Sequence, residues 1–254
     1  MKHLAAATFL ACSMAEAGQD APRPDPKPSA DVLAVTPQLY SYTTDLLFAE
    51  VWKRKDLAPR DRSLITLASL LAGGQTAQMT GHINLGLDND LKPAEISALI
   101  THLAFYSGWP NAMSAAAVAK KVFAERGISA EQTQASKERL TLDKDSEIQR
   151  RQRVDEAVGS VAPDLANYTN DVLFGDLWRH TDLTPRDRSL VTVAALITQN
   201  QSAQLPFHLN RAMDNGLTQA QASEVVTHLA FYAGWPKAMS AVPVLKEVIE
   251  SRKG

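Results

Sequence analysis

Two histidines stand in matching polar surroundings. His82 follows Gln78 by four residues and His208 follows Gln204 by four, so on a helix each glutamine shares a face with its histidine. Asn89 and Asn215, seven residues further on, extend the same stripe. A stripe of this kind is either a solvent-facing side or an active-site face, because buried polar groups need partners. On the second reading His82 and His208 are acid–base groups, with Gln78 and Gln204 as amide donors beside them. An imidazole with an ordinary pKa of about 6.5 holds a transferable proton at neutral pH.

Arg62 and Arg188 offer a second kind of chemistry. A guanidinium presents two parallel donors to a carboxylate, so each can clamp an anionic substrate. The alternative is an ion pair with the neighbouring Asp61 or Asp187 that pins a helix start and is worth little if exposed. Arg60 and Arg186 double the supply, so the two tasks can be divided. His102 and His228 lie on apolar helix faces, between Leu99 and Tyr106 and between Val225 and Tyr232. A lone histidine there is ordinarily a core or interface residue, and the sharper reading adds it to the substrate-binding set.

Other chemistries are missing. The sequence has no carboxylate pair, glycine-rich phosphate loop, G-x-S-x-G elbow or helical His-x3-His. His82 and His102 bring no acidic third ligand with them, so a metal is not expected. The single cysteine, Cys12, excludes an internal disulfide and a cysteine-rich zinc site. A formal net charge of −2 without basic clusters lacks the footprint of a nucleic-acid binder. No apolar run reaches the roughly 18 residues that span a bilayer.

These residues come in pairs because the chain repeats itself. A shift of 126 positions carries His102-Leu103-Ala104-Phe105-Tyr106 onto His228-Leu229-Ala230-Phe231-Tyr232, and Pro59-Arg60-Asp61-Arg62 onto Pro185-Arg186-Asp187-Arg188. It runs without a gap from Pro37 to Ser114. The period exceeds that of solenoid arrays, so this is one unit duplicated, each copy long enough for a small domain with its own core. Within a copy, helices are expected from Pro37 to Trp52, from Pro59 to the Gly73-Gly74 stop, from Thr76 to Asn89, after Pro93, and from Gly108-Trp109-Pro110 to Glu125. Thr184 is expected to cap the second-copy helix that starts at Pro185, where the first copy has only Ala58. Asn215-Gly216 makes a left-handed stop that Asn89-Asp90 replaces in the first copy. No alternating strand is found. The expectation is an all-α protein with about five helices per copy, the copies packing through their His-Leu-Ala-x-Tyr helices.

The domain plan has five parts. Residues 1–17 read as a signal peptide, with Lys2 and His3 before an apolar stretch and Ala15-Glu16-Ala17 as the cleavage pattern, which implies a periplasmic or secreted protein. A cytoplasmic location follows if residues 1–17 are retained, and Cys12 offers a lipid-anchor alternative. Residues 18–36 are a proline-rich tether. Domain 1 covers 37–126, a charged connector 127–160 and domain 2 161–254. Within the connector an amphipathic helix is expected over Glu147 to Val158 on Ile148, Val154 and Val158.

The motif L-x-P-R-D-R-S-L-[IV]-T-x-A-x-L, then H-[IL]-N-x-x-x-D-N-x-L, then T-H-L-A-F-Y-x-G-W-P-x-A-M-S occurs at Leu57 to Ser114 and again at Leu183 to Ser240. In both halves it resembles the carboxymuconolactone decarboxylase family. The resemblance implies an alkylhydroperoxidase D-like fold and ring-shaped assemblies of single-domain subunits, so that three duplicated chains form a homotrimer equivalent to a hexamer. The family includes cofactor-free decarboxylases and thiol-dependent peroxidase partners. The peroxidase branch carries C-x-x-C ahead of the helix histidine, where this chain has Gln75 and Gln78, or Gln201 and Gln204, so a peroxiredoxin-type relay has no thiol. The decarboxylase branch often has Glu at the positions of Gln78 and Gln204. Gly81 and Asp90 make the first copy the more degenerate one. What the resemblance implies is a cofactor-independent lyase acting on a small carboxylated lactone or related acid. The alternative is a non-catalytic ligand-binding or assembly protein with the same fold.

Overall fold

The computed structural model describes residues 28–253. The signal-peptide reading of residues 1–17, the anchor reading of Cys12 and the tether as far as Lys27 lie outside the described residues. Twelve α-helices are formed among the described residues, with no strand beyond one isolated bridge between Arg139 and His180. The all-α expectation holds. No helix among them is long and apolar enough to cross a membrane.

The described residues cluster as two compact units that divide between Ala49 and Glu50. The described part of the first contains α1 (Ala30–Val35), α2 (Pro37–Ser41) and a π-helical turn at Tyr42–Phe48. The single helix expected from Pro37 is therefore broken. The Thr43 hydroxyl donates to the Leu39 carbonyl at 2.7 Å, and Thr44 reaches the carbonyls of Tyr40 and Ser41 at 3.2 Å each. Such back-bonding competes with the regular amide ladder and loosens a helix.

The second unit holds both sets of motif residues. It runs through α3 (Pro59–Ala72), α4 (Thr76–Asp88), α5 (Pro93–Ser107) and α6 (Trp109–Glu125). The connector forms α7 (Lys144–Val154), and the second copy follows with α8 (Pro163–Tyr168), α9 (Pro185–Thr198), α10 (Leu205–Asp214), α11 (Gln219–Ala233) and α12 (Trp235–Ser251). Thr184 caps α9 as expected, its hydroxyl accepting from Asp187 N at 3.1 Å, whereas Ala58 gives α3 no cap. Gly108 and Gly234, at φ 87° and 96°, turn the chain from α5 into α6 and from α11 into α12, a conformation that side chains oppose.

The copies do not build separate cores. Helices α3 and α9 are buried along almost their whole length and pack on each other, while α11 lies on α3 and α5 on α9. One continuous core results, running from Leu57 through Leu64, Leu103, Leu190 and Leu229 to Val248. The His-Leu-Ala-x-Tyr helices thus join the copies chiefly by lying on the other copy's Pro-Arg-Asp-Arg helix rather than on each other. Helix faces that one small unit could not cover are covered by exchange.

The connector departs from its expected stripe. Ile148 is 62% exposed and Arg150 is the buried side chain of α7. Burial of that charge is possible because Arg150 donates to Glu147 at 2.8 Å and to Asn170 at 2.9 Å, and lies 4.5 Å over the Phe174 ring.

Candidate active site

Each motif histidine ends in a site that the other copy completes. In the second-copy site, His208 projects from α10 and lies 5.9 Å from Trp178 in a stacked arrangement. Tyr106, from α5 of the first copy, meets the His208 ring edge-on at 5.4 Å. Trp178 Nε1 donates to Tyr106 Oη at 2.9 Å, which leaves the phenol its own hydrogen to donate. The first-copy site repeats this with His82, Trp52 and Tyr232, the Trp52 Nε1 to Tyr232 Oη distance also being 2.9 Å.

Behind each aromatic group lies a buried polar network. His102 has no exposed surface; its Nε2 is 2.7 Å from Thr192 Oγ1 and its Nδ1 is 3.3 Å from Arg188 Nη1. Thr192 spends its hydroxyl hydrogen on the Arg188 carbonyl at 2.8 Å. The imidazole must then donate through Nε2 and accept at Nδ1, which is a neutral tautomer. Burial, reinforced by Arg188, His208 and Arg211, pushes the His102 pKa well below its ordinary value, in keeping with that assignment. His228 mirrors it, 2.8 Å from Thr66 and 3.2 Å from Arg62, its pKa lowered to about 3 by burial and by Arg62 and His82.

The site histidines are also neutral. Burial lowers His208 to about 3, with Arg211 adding to the effect, and lowers His82 to about 4. The Nδ1 atoms of both are buried and have no acceptor or donor among the described residues. The lowered pKa of His208 runs against the ordinary imidazole value on which its acid–base reading rests. Burial raises the pKa of Tyr106, so its phenol stays protonated.

The remaining expected residues fall elsewhere. Gln78 and Gln204 are exposed, Gln78 within α4 and Gln204 at the cap of α10. Asn89 and Asn215 turn away from the histidines and donate to Ser63 Oγ and Ser189 Oγ, tying α4 to α3 and α10 to α9. Arg62 and Arg188 are 0% and 1% exposed. Their Nη atoms are engaged by His228, Arg54 O and Glu224, and by His102 and His180 O, so neither forms an open clamp on a free substrate. Arg62 does clamp a carboxylate, but an internal one. Glu224 of the second copy accepts from Arg62 at 2.7 Å and from Arg54 at 2.9 Å. Burial alone would raise that carboxyl's pKa, and the two arginines outweigh it and hold it below the usual range.

Sequence reasoning passed over Tyr106, Tyr232, Trp52 and Trp178, although all four recur at the repeat shift. It also passed over two places where the copies differ near the sites: Glu224 against Ala98, and Arg211 against Leu85. A systematic comparison of the halves would have marked both.

Comparison with known proteins agrees with the repeat. The carboxymuconolactone decarboxylase family model matches residues 37–121 and again 163–247. A 4-carboxymuconolactone decarboxylase from Acinetobacter baylyi is 31% identical over 87 residues, which are 34% of this chain and 65% of that protein. A nitrosuccinic acid decarboxylase, npaB, from Metarhizium robertsii is 33% identical over 76 residues, 30% of this chain and 53% of that protein. The chain therefore spans about two thirds and one half of the lengths of these curated relatives. With both halves matched, the chain belongs to the carboxymuconolactone decarboxylase family.

Proposed function

We propose that the protein is a cofactor-independent decarboxylase-like lyase acting on a small carboxylated lactone or related acid, with His208 and Tyr106 as the acting groups of the second-copy site. The observation that supports this most is the pairing of two neutral donors, a buried imidazole and a protonated phenol, against Trp178. Both curated relatives carry the name decarboxylase, which supports this reading.

In such a reaction the C–C bond to the carboxylate breaks, carbon dioxide leaves, and the electron pair moves through the conjugated system onto a carbonyl oxygen. Tyr106 Oη–H and the N–H of neutral His208 donate hydrogen bonds to that oxygen as its charge develops. A proton from water then completes the carbon. Neutral donors aimed at developing charge act in the transition state more than in the ground state, and loss of one costs about 100- to 1000-fold in rate. Arg188, His102 and Thr192 hold α5 and α9 in register behind Tyr106 and Trp178 and so position both groups. His82 and Tyr232 form the mirrored pair in the first-copy site.

The test is carbon dioxide release from a panel of carboxylated lactones and unsaturated acids. His208→Ala and Tyr106→Phe are expected to abolish or strongly reduce release while the melting temperature stays near that of the parent. Turnover of an identified substrate that survives both substitutions would sink the assignment.

A further inference from the structure

The two sites share their histidine, tryptophan and tyrosine, but their charges differ. In the first-copy site the buried guanidinium of Arg62 is matched by the Glu224 carboxylate at 2.7 Å. In the second-copy site the position of Glu224 is Ala98, and an additional cation enters, since Arg211 stands where the first copy has Leu85. Arg211 lies 4.2 Å over the Trp178 ring and 5.5 Å from the Phe174 ring. Its Nε is buried and has no acceptor among the described residues.

Neighbouring cations are differently placed. Arg150 is held by Glu147 and Asn170, and Arg252 takes up Asp214 at 2.7 Å. The carboxylates nearest Arg211 are thus already engaged. Burial lowers the Arg211 pKa, and the combined field of Arg211 and Arg188 bears on both Tyr106 and His102. Arg211 also borders a cleft of about 440 Å³, bounded by Trp178 and Phe207 on one side and by the connector from Leu140 to Arg153 on the other. A half-buried cation on an aromatic face at the edge of a cleft is an anion-recognition element.

We propose that Arg211 is the anion-recognising residue of the second-copy site and takes one carboxylate of a small dicarboxylate, which makes the two sites of the duplicated chain unequal. This rests on the lyase reading only for the choice of a dicarboxylate. A carboxylate that leaves as carbon dioxide loses its charge on the way, so an arginine holding it stabilises the ground state more than the transition state. A cation beside the reacting group helps when it anchors a second carboxylate that the product keeps. With that group on Arg211, the reacting part of the molecule is directed toward His208 and Tyr106.

The probe is succinate, titrated into the uniformly 15N-labelled full chain while the indole Nε1–H resonances are followed. Trp178→Phe identifies the Trp178 signal, which reports its hydrogen bond to Tyr106. Saturable movement of that signal, with the Trp52 signal unmoved, is the expected result. Arg211→Leu, which copies the first half of the chain, is expected to weaken succinate at least tenfold, and Arg211→Lys to weaken it less. An unmoved Trp52 resonance in each variant shows that the fold persists; if Arg211→Leu does not fold, Arg211→Gln takes its place with the same expectation. The inference is overturned if succinate leaves Trp178 unmoved, if Arg211→Leu binds within twofold of the parent, or if acetate binds as tightly as succinate. The readout is binding, so the two readings fail separately. Tenfold loss of succinate binding with no decarboxylation of any substrate keeps this inference and removes the lyase; turnover unchanged by Arg211→Leu does the reverse.

Discussion

Arg60 Nη2 lies 2.8 Å from Asp187 Oδ2, and its counterpart Arg186 Nη2 lies 2.6 Å from Asp61 Oδ2. Two reciprocal bridges therefore cross between the starts of α3 and α9, each carboxylate sitting in the first turn of its helix where the dipole also favours it. Asp187 is almost fully buried while Arg60 is about one quarter exposed. Removing the partner of a fully buried charge costs about 3–5 kcal/mol, and solvent reduces this for a partly exposed arginine. Asp187→Ala is expected to cost about 2 kcal/mol in urea unfolding. A double-mutant cycle with Arg60→Ala should show coupling of about 1 kcal/mol or more; an additive pair would mean that the bridge contributes nothing.

The helix starts differ by one hydroxyl. Thr184 and Ala58 occupy nearly the same backbone conformation at the caps of α9 and α3, and only Thr184 caps with its side chain. Thr184→Ala is expected to lower stability by about 1 kcal/mol and Ala58→Thr to raise it by a similar amount. Both are read from urea midpoints at constant m-value, and a neutral Ala58→Thr would show that α3 is fixed by packing alone.

Stability is expected to depend steeply on mild acid. The folded-state pKa is about 3 for His208 and His228 and about 4 for His82, and His102 is held well below its ordinary value, against about 6.5 in an unfolded chain. Between those limits the unfolded state binds more protons. The stabilisation is complete above pH about 6.5 and is lost as pH falls toward 4, at up to about 1.4 kcal/mol per pH unit for each group. Urea midpoints should be level above pH 7 and fall sharply by pH 5, and His228→Gln should shallow the slope. A level profile down to pH 5 would mean that these rings protonate within the fold.

The assembly offers a fourth measurement. Trp109 and Met113 of the first copy are 56% and 66% exposed, and Trp235 and Met239 of the second copy are 56% and 62% exposed. The same apolar ridge thus recurs at the start of α6 and of α12. Light scattering is expected to return the mass of three chains, and Trp109→Ser with Trp235→Ser to lower it. A stable monomer would remove the trimer and leave the duplication untouched.

The helices were legible in the sequence because their signals are local: Pro at the first turn, Thr184 as cap, Gly108 and Gly234 as turns. The duplication was legible because residue identities recur at one fixed shift of 126 positions. What periodicity does not reveal is which helix faces a given stripe. His102 and His228 lie on helices with apolar faces, yet only the fold shows that they meet Thr192 and Thr66 on the other copy's arginine helix. Spacing by four paired Gln204 with His208, but it does not display that Gln204 is exposed while His208 is buried. Arg62 and Arg188 read as open clamps because a sequence does not display burial, and Glu224 lies 162 positions from Arg62. The neutrality of His208 has the same origin: it comes from neighbours that converge only in three dimensions.

Because Tyr106 belongs to the first copy and His208 to the second, a chain severed at Gly127 would leave no complete site in either piece. The fragments would regain one only by finding each other, and their recovery would be second order in concentration. Either half transplanted alone into another protein would carry a histidine without its phenol. The duplication thus ties the inheritance of the two halves together even where Arg211 and Leu85 have let them diverge.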